Sequence, residues 1–226
     1  LIGGAFRTEI KAYATGFYRY HDFCIEDAED EARRHVEAGF TGFKMKTGFG
    51  VKSDIEYIHR IREAVGPDIA IMADANCAYN AAAARRILLE CEDAKMHFFE
   101  EPLPPEDIEG YLDLKGLTAT YIACGENMFT KIGYRNWVAR HAADIFQPEL
   151  CSSGGITELK KIAALCEAYN VMLIPHVWGS GIGLAASLQF VASLPPAPLC
   201  LKPEEPMLEY DSSTHPFRHD LIYGAI

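Results

Sequence analysis

Short apolar runs of β-favouring composition recur along this chain. From the second onward nearly every one finishes on a residue that does acid, base or metal chemistry: Lys46, Asp74, Glu100, Glu126, Glu149, His176 and Glu209. The steps between them are 28, 26, 26, 23, 27 and 33 residues. That length holds one strand, one helix and two connections, and a ring of such units gathers the strand ends on one face. Residues far apart in sequence would then line one pocket.

The segments between the runs carry helical periodicity. Residues 26–39 (EDAEDEARRHVEAG) open with acids, align Ala28, Ala32 and Val36, place Arg33 to His35 late and close on Gly39. Residues 53–65 align Ile55, Ile58, Ile61 and Val65 ahead of Gly66-Pro67. Asn80 is placed to cap 81–93, a stripe from Ile156 to Tyr169 marks 155–169, and further helices are predicted over 106–115, 131–142 and 181–194. Strands are predicted at 11–16, 42–46, 69–75, 97–100, 121–126, 144–149, 171–176 and 206–210. Most are continuously apolar, as parallel strands buried on both faces are. Strand and helix alternate with no linker, which predicts a single α/β domain over 1–226. Eight strands favour a closed TIM-like (β/α)7β barrel over an open doubly wound sheet, and no Gly-x-Gly-x-x-Gly follows the first strand.

With 226 residues the chain can bury a large core, and its net charge of −11 argues against nucleic acid or an anionic membrane as partner. No apolar run approaches the roughly 20 residues of a membrane span, and LIGGAFRTEI lacks the order of a signal peptide, so a cytoplasmic protein is expected. The seven cysteines (24, 77, 91, 124, 151, 166 and 200) contain no Cys-x-x-Cys and read mostly as small buried hydrophobes in a reducing compartment. The start without Met and the end at Tyr223-Gly-Ala-Ile226 read as the edges of a segment from a longer protein.

Asp74, Glu100 and Glu126 close three consecutive runs in MADAN, FFEEP and CGEN. Singly, each acid reads as a helix cap or an arginine partner. Together at a barrel mouth they would repel one another unless a cation sat among them, and hard oxygen donors without His or Cys select Mg²⁺. Lys44 and Lys46 in FKMK lie two apart on one strand and project the same way. As neighbours beside a divalent cation they are expected to depress each other's pKa, making a neutral amine base available. His176 in LIPHVWG and Glu149 in FQPEL end neighbouring strands, so the carboxylate could orient the imidazole and raise its pKa; a satisfied core histidine is the plainer reading. Glu209 in MLEYD could donate a hydrogen bond if protonated. Asn76 and Asn127, each just past a proposed ligand, are candidates for contacting substrate oxygens, while Gly154-Gly155 fits either an anion-binding helix start or a tight turn. His21, His35, His59, His141, His215 and His219 read as surface residues without a role.

In this order the motifs resemble the mandelate racemase/muconate lactonizing branch of the enolase superfamily, over essentially the whole chain. The resemblance matches its Lys-x-Lys to Lys44 and Lys46, its three metal acids to Asp74, Glu100 and Glu126, its histidine to His176, its histidine-orienting acid to Glu149 and its late electrophilic acid to Glu209. YATGFYR, EARRHVEAGF, KTGFG, SSGGITELKKIA and PHVWG look most like the cycloisomerases and dehydratases of that branch that act on acid sugars. Two positions depart from the pattern: Glu149 stands where Asp is usual, and Ser152 stands where racemases with a second lysine pair carry Lys. The branch also has an N-terminal capping domain, for which this chain holds no candidate, and its members are commonly homo-oligomers.

The resemblance implies Mg²⁺-dependent removal of the proton α to a carboxylate of an acid sugar or its lactone, followed by β-elimination. Lys46 would be the base, Lys44 would tune it, His176 would act from the opposite face, and Glu209 would hydrogen-bond the developing enediolate. Racemisation or epimerisation of a hydroxy acid by the same residues is the alternative. A catalytically incomplete barrel fragment is the rival outside enzymes. A metal-dependent hydrolase would want histidine ligands at the early strand ends, which are missing.

Overall fold

Strand and helix alternate along the chain of the computed structural model, which describes residues 2–196 and 205–220. The order is β1 (Ala12–Thr15), α1 (Ile25–Glu37), β2 (Gly42–Lys46), α2 (Val51–Val65), β3 (Ala70–Asp74), α3 (Ala81–Glu90), β4 (Phe98–Glu100), α4 (Ile108–Leu114), β5 (Tyr121–Cys124), α5 (Thr130–Ala139), β6 (Ile145–Phe146), α6 (Gly155–Ala168), β7 (Met172–Leu173), α7 (Gly181–Ala192), β8 (Leu208–Asp211) and α8 (Pro216–His219). Cys200 and Tyr223–Ile226 lie outside the described residues, as does the side chain of His219. The chain divides into two compact units: Tyr13–Ala123 form the first, and Leu1–Ala12 with Cys124–Ile226 form the second.

In the first unit, β1 to β5 pair successively and in parallel. The register sets Lys46 opposite Asp74, and Asp74 opposite Glu100, so three strand ends finish level. Phe43, Met45, Ile71, Met72, Phe98, Phe99 and Ile122 are fully buried. That is the double-sided burial their uninterrupted apolar runs require. Asn80 caps α3, its Oδ1 accepting from the Ala83 N–H at 2.9 Å, and Asp107 caps α4 through Gly110 at 3.0 Å. α3 stops at Glu90, short of the predicted 93, and a 3₁₀ turn over Glu92–Ala94 follows, closed by Lys95 at φ 49°.

The buried face of α2 is Asp54, Tyr57, Ile58 and Ile61, one residue around from the predicted stripe. Ile55 is only partly buried and a carboxylate takes the inner position. Asp54 accepts from Arg19 Nη1 at 2.6 Å, from the Gly48 N–H at 2.5 Å and from Phe49 N–H at 3.3 Å, and it also accepts from the Tyr79 hydroxyl. Burial, then the hydrogen bond to Asp54, holds the Tyr79 hydroxyl far above its ordinary pKa. His35, read from the sequence as a surface residue, is instead packed in this unit against Phe17, Phe40 and Phe43, with ring centroids 5.5 to 6.3 Å away.

In the second unit, β6 pairs in parallel with β7, Gln147 N–H donates to the Cys124 carbonyl at 2.8 Å, and Leu208 N–H donates to the Lys11 carbonyl at 2.9 Å. β6 and β7 are two residues each, much shorter than the predicted 144–149 and 171–176. The short helix α8 has no counterpart among the predicted helices. Among the described residues no helix is long and apolar enough to cross a membrane.

Glu158 joins α5 to α6, its Oε1 accepting from the backbone and the ammonium of Lys131, both at 3.0 Å, and its Oε2 from Lys161 at 2.9 Å. The Lys161 contact first, then the two from Lys131, lower its pKa from 4.5 to about 2. A depressed carboxylate stabilises the fold above its unfolded pKa, and that contribution is lost as pH falls through the folded value. The melting-temperature gap between the native chain and Glu158→Gln should therefore be constant from pH 6 to 8 and close between about pH 4.5 and 2. A gap that persists at pH 2 contradicts the assignment.

Candidate active site

Lys46, Asp74 and Glu100 are the last residues of β2, β3 and β4. In a parallel sheet that places three ionisable side chains at one edge of the first unit. Asp74 and Glu100 have no solvent-accessible surface, and two adjacent buried carboxylates stay ionised only if positive charge faces them. Lys44 supplies it to Glu100, its Nζ lying 2.7 and 2.8 Å from the two carboxylate oxygens. Lys46 supplies it to Asp74 at 2.5 Å and also donates to Asn76 Oδ1 at 3.0 Å.

The two lysines differ in access: the Lys44 side chain is 0% exposed and that of Lys46 is 17% exposed. Lys44 is enclosed in its ion pair, whereas Lys46 can still meet a ligand. Among the side chains alone, burial and then Lys44 pull the Lys46 pKa down, while Asp74, 2.5 Å away, and Glu100 pull it up, and the net shift is upward.

Past these strand ends the backbone takes left-handed conformations at Asn76 (φ 42°), Cys77 (φ 64°) and Glu101 (φ 38°). Such residues persist only where their surroundings hold them. Here Cys77 N–H donates to the Glu101 carbonyl at 2.7 Å and Tyr79 N–H to the Pro102 carbonyl at 3.1 Å, lacing the two loops together. Asn76 N–H turns back to Asp74 Oδ1 at 2.9 Å and fixes that carboxylate.

The second unit holds a separate group of four. His176 Nδ1 lies 2.8 Å from Glu149 Oε2, and its Nε2 lies 2.8 Å from Glu126 Oε2 and 4.0 Å from Glu209 Oε2. Burial lowers the imidazole pKa, but the charge of Glu209 and the contacts with Glu126 and Glu149 outweigh it and hold the ring well above its ordinary range. Glu209 Oε2 accepts from the Val177 N–H at 3.1 Å and Glu149 Oε2 from the Trp178 N–H at 3.3 Å, so both acids also grip the backbone around the histidine.

Three of these acids and the histidine are not strand-terminal. Glu126 is two residues past β5, Glu149 and His176 are each three past β6 and β7, and Glu209 is the second residue of β8. Asn127 is exposed beside Glu126. Sequence reasoning passed over Gln147, which is fully buried two residues before Glu149. The signal for it was the same i, i+2 spacing that paired Lys44 with Lys46. His215, read as a surface residue, packs its ring against Trp178 with centroids 5.3 Å apart.

Gly125 holds the turn into Glu126 at φ +139°, and a Cβ there would come within 2.8 Å of the Gln147 backbone nitrogen. A backbone atom cannot yield as the end of a flexible side chain would. Gly125→Ala should cost about 1–3 kcal/mol and lower the melting temperature by about 2–4 °C per kcal/mol. Calorimetry of the variant checks this.

The residues suit a cation. Asp74 and Glu100 end adjacent strands of the first unit, and both are carboxylates of a set that could hold a metal ion. Hard oxygen donors without sulfur or imidazole match Mg²⁺ or a similar ion rather than zinc.

Eight strands in parallel alternation with helices define the barrel domain of an α/β, TIM-like (β/α)7β protein. Residues 27–222 match the Enolase C-terminal domain-like family, and the chain belongs to it. The D-galactarolactone cycloisomerase of Agrobacterium fabrum is 38% identical over 224 residues, covering 98% of this chain and 59% of that protein. The arabinonate dehydratase of Saccharolobus solfataricus is 35% identical over 199 residues, covering 86% of this chain and 52% of that protein. The crystal structure of the 3,6-anhydro-D-galactonate cycloisomerase from Zobellia galactanivorans aligns with a TM-score of 0.89 at 37% identity, covering 97% of this chain and 59% of that one. The chain thus spans between about half and three-fifths of the length of these relatives.

Proposed function

We propose that the full-length protein is a Mg²⁺-dependent enzyme that removes the proton α to a carboxylate of an acid sugar or its lactone and then expels the β-oxygen substituent. The observation that carries this reading is the His176–Glu149 pair, with Nδ1 and Oε2 2.8 Å apart and Glu209 beside it. It is an oriented, charged imidazole in a family whose similar members include a cycloisomerase and a dehydratase of acid sugars.

Asp74, Glu100 and Glu126 would hold the metal. When bound, the cation would supply positive charge for the substrate carboxylate and for the enediolate charge that develops as the α-proton leaves. Lys46 is the base of the pair because Lys44 is enclosed. Its amine becomes available once Asp74 is engaged elsewhere, because Asp74 is what holds the proton on it. His176, kept charged by its carboxylates, suits the acid that protonates the departing oxygen. Glu209, anchored by the Val177 N–H, is placed to hydrogen-bond the enediolate.

The test is proton NMR in D₂O of the full-length protein with Mg²⁺ and a panel of acid sugars and their lactones. Elimination with solvent deuterium exchange is the expected result. Exchange at the α-carbon without elimination would favour racemisation or epimerisation. No turnover and no exchange on any member removes the proposal for this substrate class.

A further inference from the structure

Lys46 ends β2, yet one of the oxygens that hold its ammonium, Asn76 Oδ1, comes from the connection between β3 and α3. Where the amine stands therefore depends on how firmly the connections after the two strands are tied to each other. The contacts that tie them all lie in the first unit. Thr47 N–H donates to the Asp74 carbonyl at 2.8 Å and carries the β2–β3 pairing one residue further. Gly48, at φ +100°, runs so near the second connection that a Cβ would come within 2.9 Å of the Ala78 methyl and 3.0 Å of the Ala75 carbonyl oxygen. Tyr79 closes the junction. Its hydroxyl donates to Asp54 Oδ2, which also accepts from the Gly48 N–H at 2.5 Å, and it accepts from the Gly50 N–H at 3.1 Å.

Tyr79 also reaches the next connection, because its N–H donates to the Pro102 carbonyl at 3.1 Å, two residues past β4. One residue thus joins the segments that follow Lys46, Asp74 and Glu100. Asn76 needs such support: it is exposed and left-handed at φ 42°, and Cys77 follows at φ 64°, conformations that persist only where the surroundings impose them. Burial, then the hydrogen bond to Asp54, keeps the phenol protonated far above its ordinary range, so it remains a donor wherever the protein is assayed. A phenol has one hydrogen to give, and here Asp54 takes it.

We infer that Tyr79 is a positioning residue for Lys46: its hydroxyl, shared by Asp54 and the Gly50 amide, locks the connection after β2 to the connection after β3 and so keeps the amine between Asp74 Oδ2 and Asn76 Oδ1. The inference rests on the reading of Lys46 as the base and deepens it. Lysine carries its nitrogen on a flexible four-carbon stem, so its rate as a base depends on how often that nitrogen stands at reacting distance. Tyr79 narrows that spread without touching the reacting atoms. Its loss therefore lowers kcat and leaves KM in place.

The experiment uses the full-length protein with Mg²⁺ and the panel of acid sugars and lactones, below the melting temperature of every variant. Tyr79→Phe keeps the ring and removes the hydroxyl, and should lower kcat by about 10- to 100-fold with KM within about threefold of the native value. Glu158→Gln, which loosens the contacts between α5 and α6, is the destabilised control and should keep the native kcat. A second readout needs no turnover. In metal-free protein labelled with ¹⁵N-lysine, the Lys46 ammonium is assigned by its disappearance in Lys46→Ala. It should resonate apart from the exposed lysines in the native protein, and broaden or merge with them in Tyr79→Phe. An unchanged kcat and an unchanged ammonium signal in Tyr79→Phe overturn the inference and leave the functional reading standing. So does a raised KM at native kcat, or an equal loss of kcat in Glu158→Gln. Native protein that acts on no compound removes the functional reading, and a Lys46 signal that survives intact in Tyr79→Phe then overturns the inference as well.

Discussion

Lys46→Ala in the full-length protein should lower turnover and α-proton exchange at least about a thousandfold, the loss expected when a positioned base is removed. Its melting temperature should stay close to that of the native chain. The argument turns on the difference between two lysines two residues apart. Lys44 has both Glu100 oxygens within 2.8 Å and no exposed surface, so it is committed to charge balance inside the first unit. Lys46 keeps an exposed fraction and is held by one Asp74 oxygen and Asn76. Removing Lys46 takes away the accessible amine and leaves Asp74 with more negative charge, so Mg²⁺ affinity should be unchanged or slightly tighter by calorimetry. Lys44→Ala should behave differently. It leaves the Glu100 carboxylate buried without its ammonium, and stability should fall by about 3–5 kcal/mol in metal-free buffer. If Lys46→Ala retains turnover within tenfold of the native protein, the base lies elsewhere.

The repeat of strand and helix was legible because continuous apolar runs and helical stripes are set by burial, which acts on every residue of an element. The chemistry-bearing residues were legible for the same reason: a charged group directly after an apolar run stands out. What the runs could not convey is where the hydrogen-bonded ladder stops. β6 ends at Phe146 and β7 at Leu173, although burial continues to Glu149 in the first case and apolar residues continue to His176 in the second. Composition reports burial, while a ladder also needs a paired neighbour in register. The reading of the Lys46 pKa weighed Lys44 and a cation and left out Asp74, which the β2–β3 register sets directly opposite and which pulls the other way. Asp54 was passed over as one more acid in the first turn of a helix. The signal was present in the spacing, since Asp54, Tyr57, Ile58 and Ile61 fall at i, i+3, i+4 and i+7, the inner face of α2.

That overlooked residue carries an expected stability effect as large as that of Lys44. Asp54 has no exposed surface and gathers the Arg19 guanidinium, the amides of Gly48 and Phe49 and the Tyr79 hydroxyl onto one carboxylate. Arg19 is in turn enclosed by Phe23, Phe49 and Tyr57, with its guanidinium carbon 4.3 to 5.1 Å from the three ring centroids. Asp54→Ala leaves that cation and two amides without their acceptor, and breaking a buried pair from one side costs about 3–5 kcal/mol. For a domain of this size the melting temperature should drop by about 10 °C. Asp54→Asn keeps an acceptor for the amides and loses the charge, so its loss should be about half as large. The clamp also matters to the site, because Gly48 and Phe49 lie two and three residues past Lys46, and Tyr79 lies three past Asn76. Tyr79→Phe removes one donor to Asp54 and the acceptor of the Gly50 N–H, and should loosen the loop with a loss of about 1–2 kcal/mol. Equal melting temperatures for Asp54→Ala and the native chain would show that the carboxylate is dispensable, and that the ring-enclosed arginine holds this loop by itself.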